Sequence, residues 1–223
     1  MSTESQPVVM LTHNRVQLAL HPLRSTDGPA LLILHGLGES SPTSVPDEVS
    51  SWPGSVWALD FTGHGQSTIP RGGGYSCEIL LADVDVALRH IGAATIVGFG
   101  IGAYVALLAA GARPHIVKGA VLCDGPGLAG GPTHYASNME ITSMQPRAGT
   151  APDPWALIEL GRDARPANYA STFVRLAVTG STLPEPITVC CKVRPPWLEA
   201  IVDEPSVETG LTLNEALESY AKS

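Results

Sequence analysis

The sequence predicts an α/β fold, a mostly parallel sheet flanked by helices, and three observations carry that expectation. Residues 94–125, ATIVGFGIGAYVALLAAGARPHIVKGAVLCDG, read as strand, glycine turn, apolar helix and second strand, which is a βαβ unit. Residues 30–34 (ALLIL) are a continuous apolar run, as expected of a strand buried on both faces, and residues 55–61 (SVWALDF) read as the next buried strand. The chain has 223 residues, 44% of them hydrophobic and 15% charged, which suits one globular domain with a sizeable core.

Each element can be justified in order. Residues 8–11 and 16–20 read as two strands joined near His13 and Asn14, an edge hairpin. The 30–34 strand ends in His35-Gly36-Leu37-Gly38, and a short helix is expected within 40–51. The 55–61 strand runs into DFTGHGQS. Over 75–91 the residues Leu80, Val84, Ala87 and Ile91 fall on one stripe, so an amphipathic helix is expected, closed by Gly92. The βαβ unit follows, and its helix is stopped by Gly111 and Pro114. Residues 126–152 are rich in Gly, Pro, Ser and Thr, with Met139 and Met144 among them, and read as an insertion or lid. Asp153 and Pro154 open a helix to about Leu160. Another helix is expected over 168–178, and a strand over 187–193 is closed by Pro195-Pro196. Residues 196–202 and 213–221 look helical.

Composition excludes several functions. A net charge of −8 without a Lys/Arg cluster argues against nucleic-acid binding. Cys77, Cys123, Cys190 and Cys191 have no metal spacing, and the expectation is four reduced, mostly buried thiols. The N-terminal MSTESQPVV has no basic stretch and is not read as a signal peptide, so a cytoplasmic location is expected. Residues 91–112 run 22 positions without a charge, long enough to span a bilayer. Their strand-like half and glycine turn fit a buried strand-turn-helix better than a membrane span.

The turn at Gly98, Gly100 and Gly102 has the form small-x-nucleophile-x-small between a strand and a helix, with position 100 as the nucleophile seat. Together with HGLG after one strand and DFTGHGQS after another, GFGIGA resembles the α/β-hydrolase fold over about residues 8–125. The resemblance implies one domain over 1–223 with a variable lid over 126–183. It also implies a nucleophile at the turn, an acid after a later strand and a histidine near the C-terminus, in that order. Here the seat is Gly100, the expected acid position carries Arg194-Pro195-Pro196-Trp197, and the last histidine is His134. The chain is also expected to be too short for the final strand, giving a truncated C-terminal end.

By the same resemblance, backbone N–H groups of Leu37 and Ile101 would form an oxyanion hole, so Gly36, Leu37, Gly38, Gly100 and Ile101 are the expected binding residues. His35 and Asp124 are weak catalytic candidates. His35, His64 and Asp60 are read first as loop braces, Asp124 as a turn cap, and Cys77, beside Tyr75 and Ser76, as a core thiol. The expectation is therefore a non-hydrolytic α/β-hydrolase relative that binds a small molecule or serves as an interaction scaffold. It needs no cofactor or metal. One alternative is an atypical hydrolase or lyase using His35 or Asp124. The other is NAD(P) binding, because Gly98-x-Gly100-x-x-Ala103 followed by a strand ending at Asp124 fits the dinucleotide fingerprint.

Overall fold

The computed structural model describes residues 7–131 and 151–222. Eight strands form one sheet: β1 (Val9–His13), β2 (Val16–Arg24), β3 (Ala30–Leu34), β4 (Val56–Leu59), β5 (Ala94–Phe99), β6 (Val117–Cys123), β7 (Ile187–Val189) and β8 (Val207–Thr209). Their spatial order is β1-β2-β4-β3-β5-β6-β7-β8. The β1/β2 hairpin and the β2/β4 pair are antiparallel, and every other pairing is parallel. Asn14 turns the hairpin at φ 54°, a conformation asparagine tolerates better than most residues.

Alternation along the central strands divides the core into two layers. Leu32, Leu34, Ile96 and Leu122 face α1 (Cys77–Ile91), α2 (Ile101–Ala112), α4 (Ala167–Gly180) and α5 (Pro196–Val202). Leu31, Ile33, Val97 and Val121 face α6 (Leu213–Ala221) and a 3-10 turn at Asp47–Val49. Every residue of α2 from Ile101 to Gly111 is buried, because α2 lies between the sheet and α4. A Cβ at Gly111 would fall 2.5 Å from the Phe173 carbonyl oxygen, so glycine sets how closely these helices approach. Ala170, Val174 and Ala177 supply the buried face of α4. This helix lies within the 126–183 span read as a lid, and it is built onto the helical layer. α3 (Pro154–Arg162) begins at Asp153, whose carboxylate accepts the Trp155 N–H. His134, Met139 and Met144 lie outside the described residues.

Two expectations at the C-terminal end are corrected. The strand expected over 187–193 stops at Val189. The Asp124 carboxylate accepts the backbone N–H groups of Lys192 and Val193, at 2.8 and 3.1 Å, and turns the chain away from the ladder. The final strand is also present. β8 pairs in parallel with β7 over Val207–Thr209, and α6 follows it. Three residues are too few for a period-2 pattern to stand out. The carboxyl ends of the parallel strands line one edge of the sheet, and the loops that leave them build the site.

Candidate functional site

β5 delivers Gly98 and Phe99 into Gly100, which caps the start of α2 at φ 58°, ψ −118°. That region is costly for a side chain and open to glycine. The two N–H groups expected to form an oxyanion hole do converge. Leu37, in the loop after β3, and Ile101, the first residue of α2, donate to the same atom, each at 3.0 Å. The atom is the carbonyl oxygen of Pro126, from the chain's own loop after β6. A Cβ at position 100 would lie 2.0 Å from that oxygen and 2.6 Å from the Gly125 carbonyl carbon. The space above the seat is thus filled by residues 125–126. The pyrophosphate seat required by the dinucleotide alternative, at the N-terminus of α2, is the same space.

The other expected binding residues point elsewhere. Gly36 N–H donates to the Glu39 carboxylate at 3.0 Å, and Gly38 N–H to His64 Nε2 at 3.2 Å. The structure therefore brings Leu37 and Ile101 together at Gly100, with Gly36 and Gly38 shaping the loop.

His35 and His64 are built into the wall beneath this loop. His35 Nε2 accepts the Phe61 N–H at 3.1 Å, which leaves Nδ1 to carry the proton donated to Gly36 O at 2.7 Å. Burial, with His64 nearby, lowers His35 to about 4, so the ring is neutral near pH 7. His64 accepts from Gly38 and donates through Nδ1 to Thr62 O at 3.2 Å, and burial lowers its pKa as well. The carboxylate of Asp60 ties the neighbouring turns. It takes Ser41 N–H at 2.7 Å, Gln66 N–H at 2.8 Å and His21 Nε2 at 2.9 Å. Burial would raise the Asp60 pKa, but these hydrogen bonds outweigh it and hold it at about 2. Asp83, fully buried beside Thr62 and His13, is raised to about 6 by burial, against the Thr62 and His13 hydrogen bonds.

Asp124 borders a cavity of about 300 Å³ on the outer side of the loop, together with Gly125, Gly127, Leu128, Gly161 and Val193. Both carboxylate oxygens are engaged by the β7–α5 loop, as described above. Cys77 is buried, its thiol pKa pushed up chiefly by desolvation. Its N–H donates to Asp163 at 2.8 Å. The Tyr75 hydroxyl donates to Asp153 at 2.6 Å. Among the described residues no cluster of His, Cys, Asp or Glu is placed to hold a metal ion, and no helix is long and apolar enough to cross a membrane.

Sequence reasoning missed Pro126 and Arg165. Arg165 Nη1 donates to the carbonyls of Gly127 and Leu128, its guanidinium 5.2 Å from the centre of the Tyr104 ring. Trp197 Nε1 donates to Leu128 O at 2.8 Å. The available signal was Gly125-Pro126-Gly127 directly after the strand beside β5, a stretch free of large side chains where backbone can approach backbone.

A family model for the alpha/beta hydrolase fold matches residues 29–156, more than half of the chain. The chain belongs to the α/β hydrolase fold family. No curated protein matches it in sequence. Among solved structures it is similar to a thioesterase domain from the curacin biosynthetic pathway, at 17% identity and a TM-score of 0.62, with 98% of each chain covered. It is also similar to a membrane phospholipase A described as a bacterial virulence factor. That likeness has 20% identity and a TM-score of 0.54, over 92% of this chain and 77% of the other. At these identities the likeness is one of fold.

Proposed function

We propose that this chain is a non-hydrolytic member of the α/β hydrolase fold family, a small-molecule-binding or interaction protein that lacks a working Ser/acid/His triad. The observation that carries the reading is the position of the Pro126 carbonyl oxygen, 2.0 Å from where a side chain at position 100 would begin. A nucleophile needs that volume for itself and for the carbonyl it attacks. Three further features support it. The residues after β7 are Cys190-Cys191-Lys192-Val193, and those after β8 are Gly210-Leu211-Thr212, so neither stretch supplies an acid or a histidine. His35 spends both ring nitrogens on the backbone, and burial keeps it neutral. Asp124 spends its oxygens on Lys192 and Val193. The cavity beside Asp124 is the place for a small ligand in this reading, outside the N–H pair.

The test is steady-state hydrolysis of a panel of activated acyl esters and thioesters by the purified protein. Turnover no faster than buffer is expected. Saturable turnover that is lost on replacing Asp124 by alanine, in a variant shown to stay folded, sinks the reading in favour of an atypical hydrolase.

A further inference from the structure

We infer that residues 124–128 are a tethered ligand: the Pro126 carbonyl occupies the Leu37/Ile101 cradle as a substrate carbonyl would, and the cradle takes an outside oxyanion only when this strap is withdrawn. The inference rests on reading that N–H pair as an oxyanion-type site, and it adds what holds the site shut.

The strap is fixed at both ends and in the middle. At its start, Gly100 N–H donates to Cys123 O at 3.1 Å, and Asp124 is bound through its carboxylate to Lys192 and Val193. In the middle, Pro126 O takes the two cradle N–H groups. Proline has no N–H of its own, so at this residue the strap presents an acceptor alone. At its end, Arg165 holds the carbonyls of Gly127 and Leu128, and Trp197 holds Leu128 a second time. Arg165 is 5% exposed, so these contacts are shielded from competing water. The close fit depends on glycines. A Cβ at Gly100 meets Pro126 O at 2.0 Å, and one at Gly127, where φ is 78°, meets Leu37 Cβ at 2.6 Å. Gly100 is thus more than a missing nucleophile, because its bare Cα is the room into which the strap folds. The chemistry of the cradle is unchanged by this occupancy. Two convergent N–H groups at the N-terminus of a buried helix favour an anionic oxygen over the neutral amide oxygen now in place.

Amide hydrogen exchange of the full chain tests the inference directly. In the parent, the Leu37 and Ile101 amides are expected to exchange on the order of a hundredfold or more slower than an unstructured chain. Two variants loosen the strap from different sides: Gly127→Val, by pushing it off Leu37, and Arg165→Met, by removing its anchor. In either variant those two amides are expected to speed up at least tenfold while amides of β3 and β5 stay protected. Methylphosphonate, as the tetrahedral oxyanion probe, is expected to shift the two amides in a variant and not in the parent. Three results would overturn the inference: unprotected Leu37 and Ile101 amides in a folded parent, methylphosphonate shifts in the parent, or unchanged exchange in both folded variants. If neither variant folds, the parent measurements still decide. Ester turnover would count against the non-hydrolytic reading, and the exchange data separately against the tether.

Discussion

Replacing Gly100 by serine puts back the residue type that the turn geometry suits and is expected to damage the protein without restoring chemistry. Two costs follow from the structure. The backbone at φ 58° strains any non-glycine residue by about 1–3 kcal/mol. The new Cβ also cannot share space with Pro126 O, so the strap must leave and two cradle hydrogen bonds are lost, each worth about 0.5–1.5 kcal/mol net. The sum is roughly 2–6 kcal/mol, which lowers Tm by roughly 5–20 °C in a domain of this size. Gly92 provides the control. It sits at φ 91° with nothing within 4 Å of an added Cβ, so Gly92→Ser carries backbone strain without a clash. Thermal melts followed by circular dichroism compare the two variants, and the excess loss in Gly100→Ser reads the displacement of the strap. A melt no lower than that of Gly92→Ser would refute the reasoning, and so would ester turnover gained with the serine.

The remaining predictions concern the buried rings and the helical layer. His35 is lowered to about 4 in the fold, so between pH 6.5 and pH 4 the unfolded chain binds a proton that the native state refuses. Its contribution is therefore full above pH 6.5, is lost as pH falls through that window, and amounts to roughly 2 kcal/mol between pH 7 and pH 5. Asp83, raised to about 6, works in the opposite sense over the same interval, its contribution being full below the unfolded carboxylate value and lost as pH rises through 6. Urea unfolding of the parent and of His35→Gln at both pH values separates the two, and an equal pH response in both proteins would count against the locked neutral ring. Gly111→Ala improves helix propensity by up to about 1 kcal/mol yet is expected to lower Tm, because the added methyl lies 2.5 Å from Phe173 O and must push α4 outward. A raised Tm would show that α2 and α4 are not in close contact at this point.

Much of the fold was legible because its signals are local. The apolar run over 30–34 returned β3 with its bounds intact, and the glycine turn between β5 and α2 lies where the motif put it. The helices at Pro196–Val202 and Leu213–Ala221 were also readable, the latter opened by a capping box between Thr212 and Glu215. β8 was illegible because three residues carry no period, and β7 read too long because its apolar run continues past the point where Asp124 bends the chain. At the site, the convergence of Leu37 and Ile101 followed from the family resemblance that HGLG and GFGIGA help to carry. What they converge on did not. Pro126 reaches the cradle through backbone geometry across three strand ends, and a backbone carbonyl leaves no residue-type signature. Arg165 was equally hidden, since its partners are main-chain oxygens 37 and 38 positions away.

The two margins of the sheet differ in what they offer another molecule. β8 is the outermost strand on one side, three residues long with Glu208 at its centre. A strand arriving there would find few free backbone groups and a charge in the middle of them, which discourages edge-to-edge growth. On the opposite side β1 presents five residues, with Met10 nearly half exposed and Pro7 just before the strand. Proline interrupts the row of donors there. A lysine placed at Met10 would add a charge to the β1 margin, the device that the short β8 margin already has in Glu208.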